Sequence, residues 1–174
     1  LWSAGSVIDL GNALAQGIND AGDIVGYRFS GGGPSAVVWH NGVPTDLGRN
    51  SAAYGINGAG DIVGESRSAS GLYQATLWTD RGRSPLGTLG DGEHSVAFDI
   101  NETNDVVGYG NTGALLWTGQ KQVDLNAVLA NPPGGQFRLM LAIGINDRGQ
   151  IAASGTDANN YGRGYLLTPI PEPT

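Results

Sequence analysis

An all-β fold, a small β-propeller of four four-stranded blades, is what this sequence predicts, on three observations. The first is a stretch that occurs four times. Gly17-Ile18-Asn19-Asp20-Ala21-Gly22-Asp23-Ile24-Val25-Gly26 comes back as Gly55-Ile56-Asn57-Gly58-Ala59-Gly60-Asp61-Ile62-Val63-Gly64. It returns again as Asp99-Ile100-Asn101-Glu102-Thr103-Asn104-Asp105-Val106-Val107-Gly108 and as Gly144-Ile145-Asn146-Asp147-Arg148-Gly149-Gln150-Ile151-Ala152-Ala153. The starts lie 38, 44 and 45 residues apart, a period that signals a repeat architecture. The second is an apolar run ending in Trp, followed by a short break and a second short run. The third is composition: 30 glycines in 174 residues, set at breaks between apolar runs, and almost no helix signal. Residues 125–130 are the one place where a helical turn is expected.

Each copy of the first stretch reads as strand, tight turn, strand. Asn suits the first position of a type I turn, because its side chain bonds backbone two residues on. The Gly three residues later supplies a left-handed residue and a short hairpin loop. The third copy has Asn104 where the others have Gly22, Gly60 and Gly149. Asn is the non-glycine residue that best accepts positive φ, so the exception supports the turn. The second signal runs from Val37-Val38-Trp39 to Asp46-Leu47, from Thr76-Leu77-Trp78 to Leu86, and from Leu115-Leu116-Trp117 to Asp124-Leu125. Its breaks are short and contain Gly, so it too reads as a hairpin. Four strands in about forty residues is the size of a propeller blade.

Taken in order, residues 1–10 carry a third and a fourth strand with no first or second before them. Hairpins of first and second strands are expected near 13–28, 52–66, 95–110 and 139–155. Residues 29–35 read as a Gly-rich loop. The last repeat has a third strand near 165–168 but no fourth. The links from a fourth strand to the next first strand vary most in length, so each blade is ordered first to fourth with the first strand innermost. Residues 7–10 are then expected to pair with residues 165–167 and close a four-bladed ring, leaving no sheet edge. The alternative is a fragment of a larger propeller or an open β-repeat array. Residues 1–168 form the repeat domain and 169–174 a Pro-rich tail.

Net charge is −7, with few and scattered Lys and Arg, which argues against nucleic acid as a partner. No basic amphipathic helix suits a membrane surface, and no apolar run is long enough to span one. The absence of Cys excludes disulfides and Cys-based zinc sites. The chain opens inside a repeat with neither Met nor signal peptide, so a fragment or processed form is expected.

The motif Gly-Ile-Asn-x-x-Gly-Asp-Ile-Val-Gly, alternating with Leu-Trp and with Asp46-Leu47-Gly48 or residues 86–90, resembles bacterial extracellular repeats of the HAF type. The resemblance covers nearly the whole chain. It implies an extracellular protein and no catalytic residues. The tail, Pro169-Ile170-Pro171-Glu172-Pro173-Thr174, resembles the start of a PEP-CTERM sorting signal. That resemblance implies a Gram-negative cell surface or exopolysaccharide matrix, with membrane attachment only through a C-terminal anchor that this sequence lacks.

The chemistry-bearing residues admit two readings each. Asn19, Asp20 and Asp23 have the hard oxygen ligands of a calcium loop, but their copies change the acids, so turn stabilisation is the preferred reading and no cofactor is expected. Trp2, Trp39, Trp78 and Trp117 recur at one position per repeat; packing between blades is preferred over sugar binding. Asp91, Glu93 and His94 share a loop with groups for acid/base work, and would serve a polysaccharide lyase or hydrolase; a solvated loop is preferred. His40 lies on the turn face opposite His94, so the two share no metal. The face holding the second-to-third and fourth-to-first links carries Arg67, Tyr73, Glu93, His94, Asn159, Asn160, Tyr161 and Arg163. Of these, Tyr73, His94, Tyr161 and Arg163 are the expected ligand-binding set. The expected function is an exported, non-enzymatic binding or structural module for a surface glycan or envelope protein, with self-association as a variant.

Overall fold

A computed structural model describes residues 5–89, 94–119, 121–129 and 137–170. Among these residues there are fifteen strands and no helix. Sheet I holds β1 (Ala13–Ile18), β2 (Ile24–Ser30), β3 (Gly33–His40) and β4 (Val43–Arg49). Sheet II holds β5 (Ser51–Ile56), β6 (Ile62–Arg67), β7 (Tyr73–Thr79) and β8 (Gly82–Pro85). Sheet III holds β9 (Ser95–Ile100), β10 (Val106–Gly110), β11 (Gly113–Thr118) and β12 (Lys121–Asp124). Sheet IV holds β13 (Arg138–Ile145), β14 (Ile151–Thr156) and β15 (Gly162–Leu167). Within every sheet the strands follow chain order and pair antiparallel, as hairpin links require. Residues 125–128 make a single turn, with Ala127 N–H donating to Asp124 O at 3.0 Å.

The Asn-centred turns form as their chemistry dictates. In each, the Asn N–H donates to the carbonyl four residues on, and the residue at the Gly position returns a bond to the Asn carbonyl. Gly22, Gly60 and Gly149 have φ of 82°, 84° and 70°, and Asn104 takes the same conformation at 63°. The Asn Oδ1 caps the turn: Asn101 accepts from Thr103 N–H at 3.1 Å and Asp105 N–H at 2.9 Å. Its amide nitrogen does a second job. Asn19 donates to Asn57 O at 3.1 Å, Asn57 to Asn101 O at 3.3 Å, and Asn101 to Asn146 O at 3.2 Å. One residue type thus closes each hairpin and links four sheets in a row.

Three apolar clusters lie between successive sheets. Val25, Ala36 and Val38 of sheet I meet Ala53, Ile56, Ile62 and Trp78 of sheet II, with Leu47 beside them. Val63 and Ala75 meet Ala97, Ile100, Val106 and Trp117. Val107 and Ala114 meet Leu139, Ala142, Ile151 and Ala153. The Trp side chains are core, as their apolar neighbours led one to expect: Trp39, Trp78 and Trp117 are all buried. Trp78 and Trp117 also donate Nε1–H to the preceding sheet, at Leu47 O and Gly87 O. In sheet IV the equivalent place, opposite Ile151, is taken by Leu167. Trp2 lies outside the described residues.

Two expectations are corrected. The expected pairing of residues 7–10 with 165–167 is not seen: residues 5–10 form no strand, Val7 is 93% exposed, and among the described residues β15 pairs with β14 alone. A strand-like sequence needs an edge within reach, and sheet IV does not offer its edge to the start of the same chain. Among the described residues four antiparallel sheets of three or four strands are seen, and no closed propeller or barrel is detected. The Gly-rich stretch 29–35 is not a loop either. β2 and β3 run through it to a two-residue link, because paired backbone satisfies its polar groups there.

Candidate functional site

The inner strands β1, β5, β9 and β13 each carry a bulge. The residue left out of the ladder is Gln16 in β1, Tyr54 in β5 and Phe98 in β9, while β13 leaves out two, Met140 and Ile143. A bulge re-aims a side chain away from the sheet's alternation. Tyr54 and Phe98 meet there, with ring centroids 5.8 Å apart. Tyr54 also meets Tyr27 of β2 edge-on at 6.3 Å, and Tyr27 meets Phe29 at 5.7 Å. On the other side Phe98 stacks on Tyr109 of β10 at 5.7 Å, and Tyr109 meets the His94 ring at 5.7 Å. The result is one continuous row of six rings across three sheets: Phe29, Tyr27, Tyr54, Phe98, Tyr109, His94. Phe29 is exposed and the other five are half-buried, so the row offers ring surface to solvent.

Polar groups are set along the row. Tyr54 O–H donates to Glu65 Oε1 at 3.0 Å. Burial, reinforced by the Glu65 charge, pushes the Tyr54 phenol far above its ordinary value, and Tyr109 is raised for the same two reasons. Both are therefore neutral hydroxyls at physiological pH. His94 Nδ1 lies 3.1 Å from Tyr73 O and its Nε2 3.1 Å from Tyr109 Oη. A carbonyl only accepts, so in the neutral ring Nδ1 carries the hydrogen and Nε2 accepts from Tyr109.

Of the expected binding residues, the structure brings Tyr73 and His94 together, through the Tyr73 carbonyl. Tyr161 lies in the turn before β15 and Arg163 in β15, where Arg163 Nε donates to Asp157 Oδ2 at 2.9 Å. Asn159, Asn160 and Tyr161 do not form an irregular loop. They form a second tight turn, capped by Asp157 Oδ1 and closed through Asn160 at φ 62°. Asp91 and Glu93 lie outside the described residues. Among the described residues no carboxylate bonds to His94. Asn19 Oδ1 is occupied by Ala21 and Asp23 N–H groups, and Asp23 pairs with His40 at 2.7 Å. No group of three or more His, Asp or Glu among the described residues is arranged to hold a metal. A cleft of about 440 Å³ opens elsewhere, between sheets II and III beside Trp117, Asn104 and Gln122.

Beside the row, Asp99 takes the position that is Gly17, Gly55 and Gly144 in the other copies. At Gly17 and Gly55 the neighbouring inner strand comes so close that a Cβ would lie 2.7 Å from Tyr54 O and 2.9 Å from Phe98 O. At Asp99 a carboxylate fits and crosses to sheet IV, accepting from Ile145 N–H at 2.8 Å. Burial pushes the Asp99 carboxyl above its ordinary value, against the opposing pull of the Ile145 and Ile100 amides. A raised native value means the folded state holds the proton more tightly than the unfolded state. That contribution to stability is present below the ordinary carboxylate range and is lost as pH rises towards the raised native value. Asp99→Asn is therefore expected to flatten this part of the stability profile, gaining on wild type in urea melts as pH rises above the ordinary carboxylate range. An unchanged profile would mean that burial does not control this carboxyl.

Compared with protein-family models, curated proteins and solved structures, the chain matches none.

Proposed function

We propose that this chain is an exported, non-enzymatic binding module of the bacterial surface or its exopolysaccharide matrix, and that its ligand is a glycan laid along the aromatic row. The row from Phe29 to His94 carries the reading. Ring faces take the C–H faces of sugars, while flanking carboxylate, imidazole and hydroxyl groups take their hydroxyls. A row of rings across three sheets suits successive residues of a linear polymer better than one small molecule. Its polar neighbours are already hydrogen-bonded to one another, which suits recognition more than proton transfer. The motif likeness to extracellular repeats and the Pro-Glu-Pro tail support the location. The four sheets, each packed on the next, read as successive blades of a larger propeller or an open array.

The test is a glycan array, with turnover followed on the same polysaccharides. Tyr54→Ala and Phe98→Ala are each expected to weaken binding about tenfold, equivalent to about 1.4 kcal/mol. Tyr54→Phe, which keeps the ring, should retain most of it. Full binding in both alanine variants, with folding checked by circular dichroism, would sink the assignment. Turnover that disappears in His94→Ala would replace it with an enzyme.

A further inference from the structure

The aromatic row is interrupted once by a charge. In sheets I, II and III the residue after the Gly of Ile-Val-Gly or Val-Val-Gly stands at the same register position of the second strand. It is Tyr27 opposite Ala36, Glu65 opposite Ala75 and Tyr109 opposite Ala114. Tyr27 and Tyr109 are members of the row. Glu65 puts a carboxylate where the repeat has a ring on either side. It lies in the interior of the array, since sheet II packs on sheet I through one apolar cluster and on sheet III through the next.

Glu65 is tied into the row but not neutralised there. It is half-buried, and its Oε1 accepts from Tyr54 O–H at 3.0 Å. A carboxylate has about four acceptor sites, so that bond leaves most of them open. Among the described residues no Arg, Lys or His forms an ion pair with it. Arg28, which follows Tyr27, pairs with Asp46 at 2.8 Å. Arg67, two residues along β6, donates Nε–H to Gly71 O at 2.8 Å. His94 is engaged by Tyr73 O and Tyr109 Oη. The Glu65 charge is felt on both sides, at the Tyr54 and Tyr109 phenols.

This arrangement favours one sign of ligand. A half-buried carboxylate with one neutral hydrogen bond and no counter-charge is costly to hold. The faces of the neighbouring rings carry the negative part of their quadrupoles, so they too repel an anion and attract a cation. A sugar hydroxyl would use the open acceptors of Glu65 but leave its charge uncompensated. An ammonium group supplies donors and the opposite charge together. The net charge of −7 draws a cationic polymer from a distance as well.

We propose, resting on the reading that the row binds a glycan, that this glycan carries free amino groups. It is a linear hexosamine polymer lacking N-acetyl groups on some of its sugars. One ammonium sits against Glu65 and the faces of Tyr54, Phe98 and Tyr109, and the sugars on either side stack along the rest of the row.

The test compares chitosan and chitin oligosaccharides of equal length by calorimetric titration in mildly acidic buffer, where the free amines are protonated. Wild type should bind the chitosan oligomer about tenfold more tightly, the scale of one hydrogen bond to a charged group. Added salt should shrink that preference. Glu65→Gln keeps the length of the side chain and an oxygen for Tyr54 O–H, so it removes the charge alone. It should bind the two oligomers alike, with urea melts checking that it is folded. A wild type that does not prefer chitosan, or a Gln variant that still does, would overturn the inference and leave the glycan reading standing. Binding of neither oligomer would also overturn it, and the glycan array then decides whether the row takes another sugar. An oligolysine that outcompetes chitosan would put a basic peptide in place of the amino glycan.

Discussion

Gly108→Ala is expected to destabilise the protein by about 3 kcal/mol or more, the upper range of overpacking in a core. The cause is position, not backbone freedom, because the residue does not take a positive φ. Gly108 faces the bulge of β9, where a Cβ would overlap Val96 O and its carbonyl carbon. A backbone oxygen held in a ladder cannot rotate away as a side chain does. β9 is pressed between sheets II and IV, with Val96, Ala97 and Ile100 buried, so the strand cannot retreat without opening a core cluster. The same overlap recurs at Gly26 with Leu14 O, at Gly64 with Ala52 O and at Gly155 with Arg138 O. Among the described residues no sheet packs on the outer side of strand β1, opposite Gly26. Gly26→Ala should therefore cost less than Gly108→Ala. Gly162→Ala, with open space around it, should stay within about 0.5 kcal/mol of wild type. Urea unfolding of the three variants gives the order; equal losses at Gly26 and Gly108 would show that the strand's confinement does not matter.

What the sequence made legible follows the range of the physics behind each feature. The Asn turns depend on four or five neighbouring residues, so the reading from Asn-x-x-Gly held down to Asn104, which replaces a glycine and still adopts φ 63°. Strand order was equally local, since tight links leave a hairpin no other arrangement. The Trp positions were legible as core because their neighbours were apolar. Pairing of residues 7–10 was not, because a fourth-strand pattern says nothing about which third strand lies within reach. The aromatic row was missed for another reason. Period-two alternation assigns side chains to faces, and a bulge breaks the alternation at Tyr54 and Phe98. A signal was present: both lie two residues before the Ile-Asn pair. The bulge also faces the Gly of Ile-Val-Gly, so that glycine could have been read as a close-approach site. His94 and Tyr73 were placed in the candidate set by loop reasoning and do meet, but through the Tyr73 backbone rather than its ring.

Along the Asn row, a change of one atom separates the two jobs of the side chain. Asn101→Asp keeps an oxygen to cap Thr103 and Asp105 but removes the donor to Asn146 O, 3.2 Å away. It sets a carboxylate oxygen against that carbonyl in a site where Asn101 is only 4% exposed. Leaving buried acceptors facing each other costs about 1–3 kcal/mol, and a charge costs more. We expect Asn101→Asp to lose about 3 kcal/mol at pH 7 and to recover part of it in acid, where the carboxyl regains a hydrogen to donate. Asn146→Asp is the internal control. Its amide reaches only Gln150 Oε1, at an exposed end, so the loss should stay below about 1 kcal/mol. Asn101→Ala removes the cap as well, orphaning the Thr103 and Asp105 N–H groups, and should cost at least as much as Asn101→Asp. If Asn101→Asp and Asn146→Asp melt alike, the amide links between sheets carry no stability and the row acts only as four separate turn caps. If Asn101→Asp alone is severe, the sheets hold together partly through their turns.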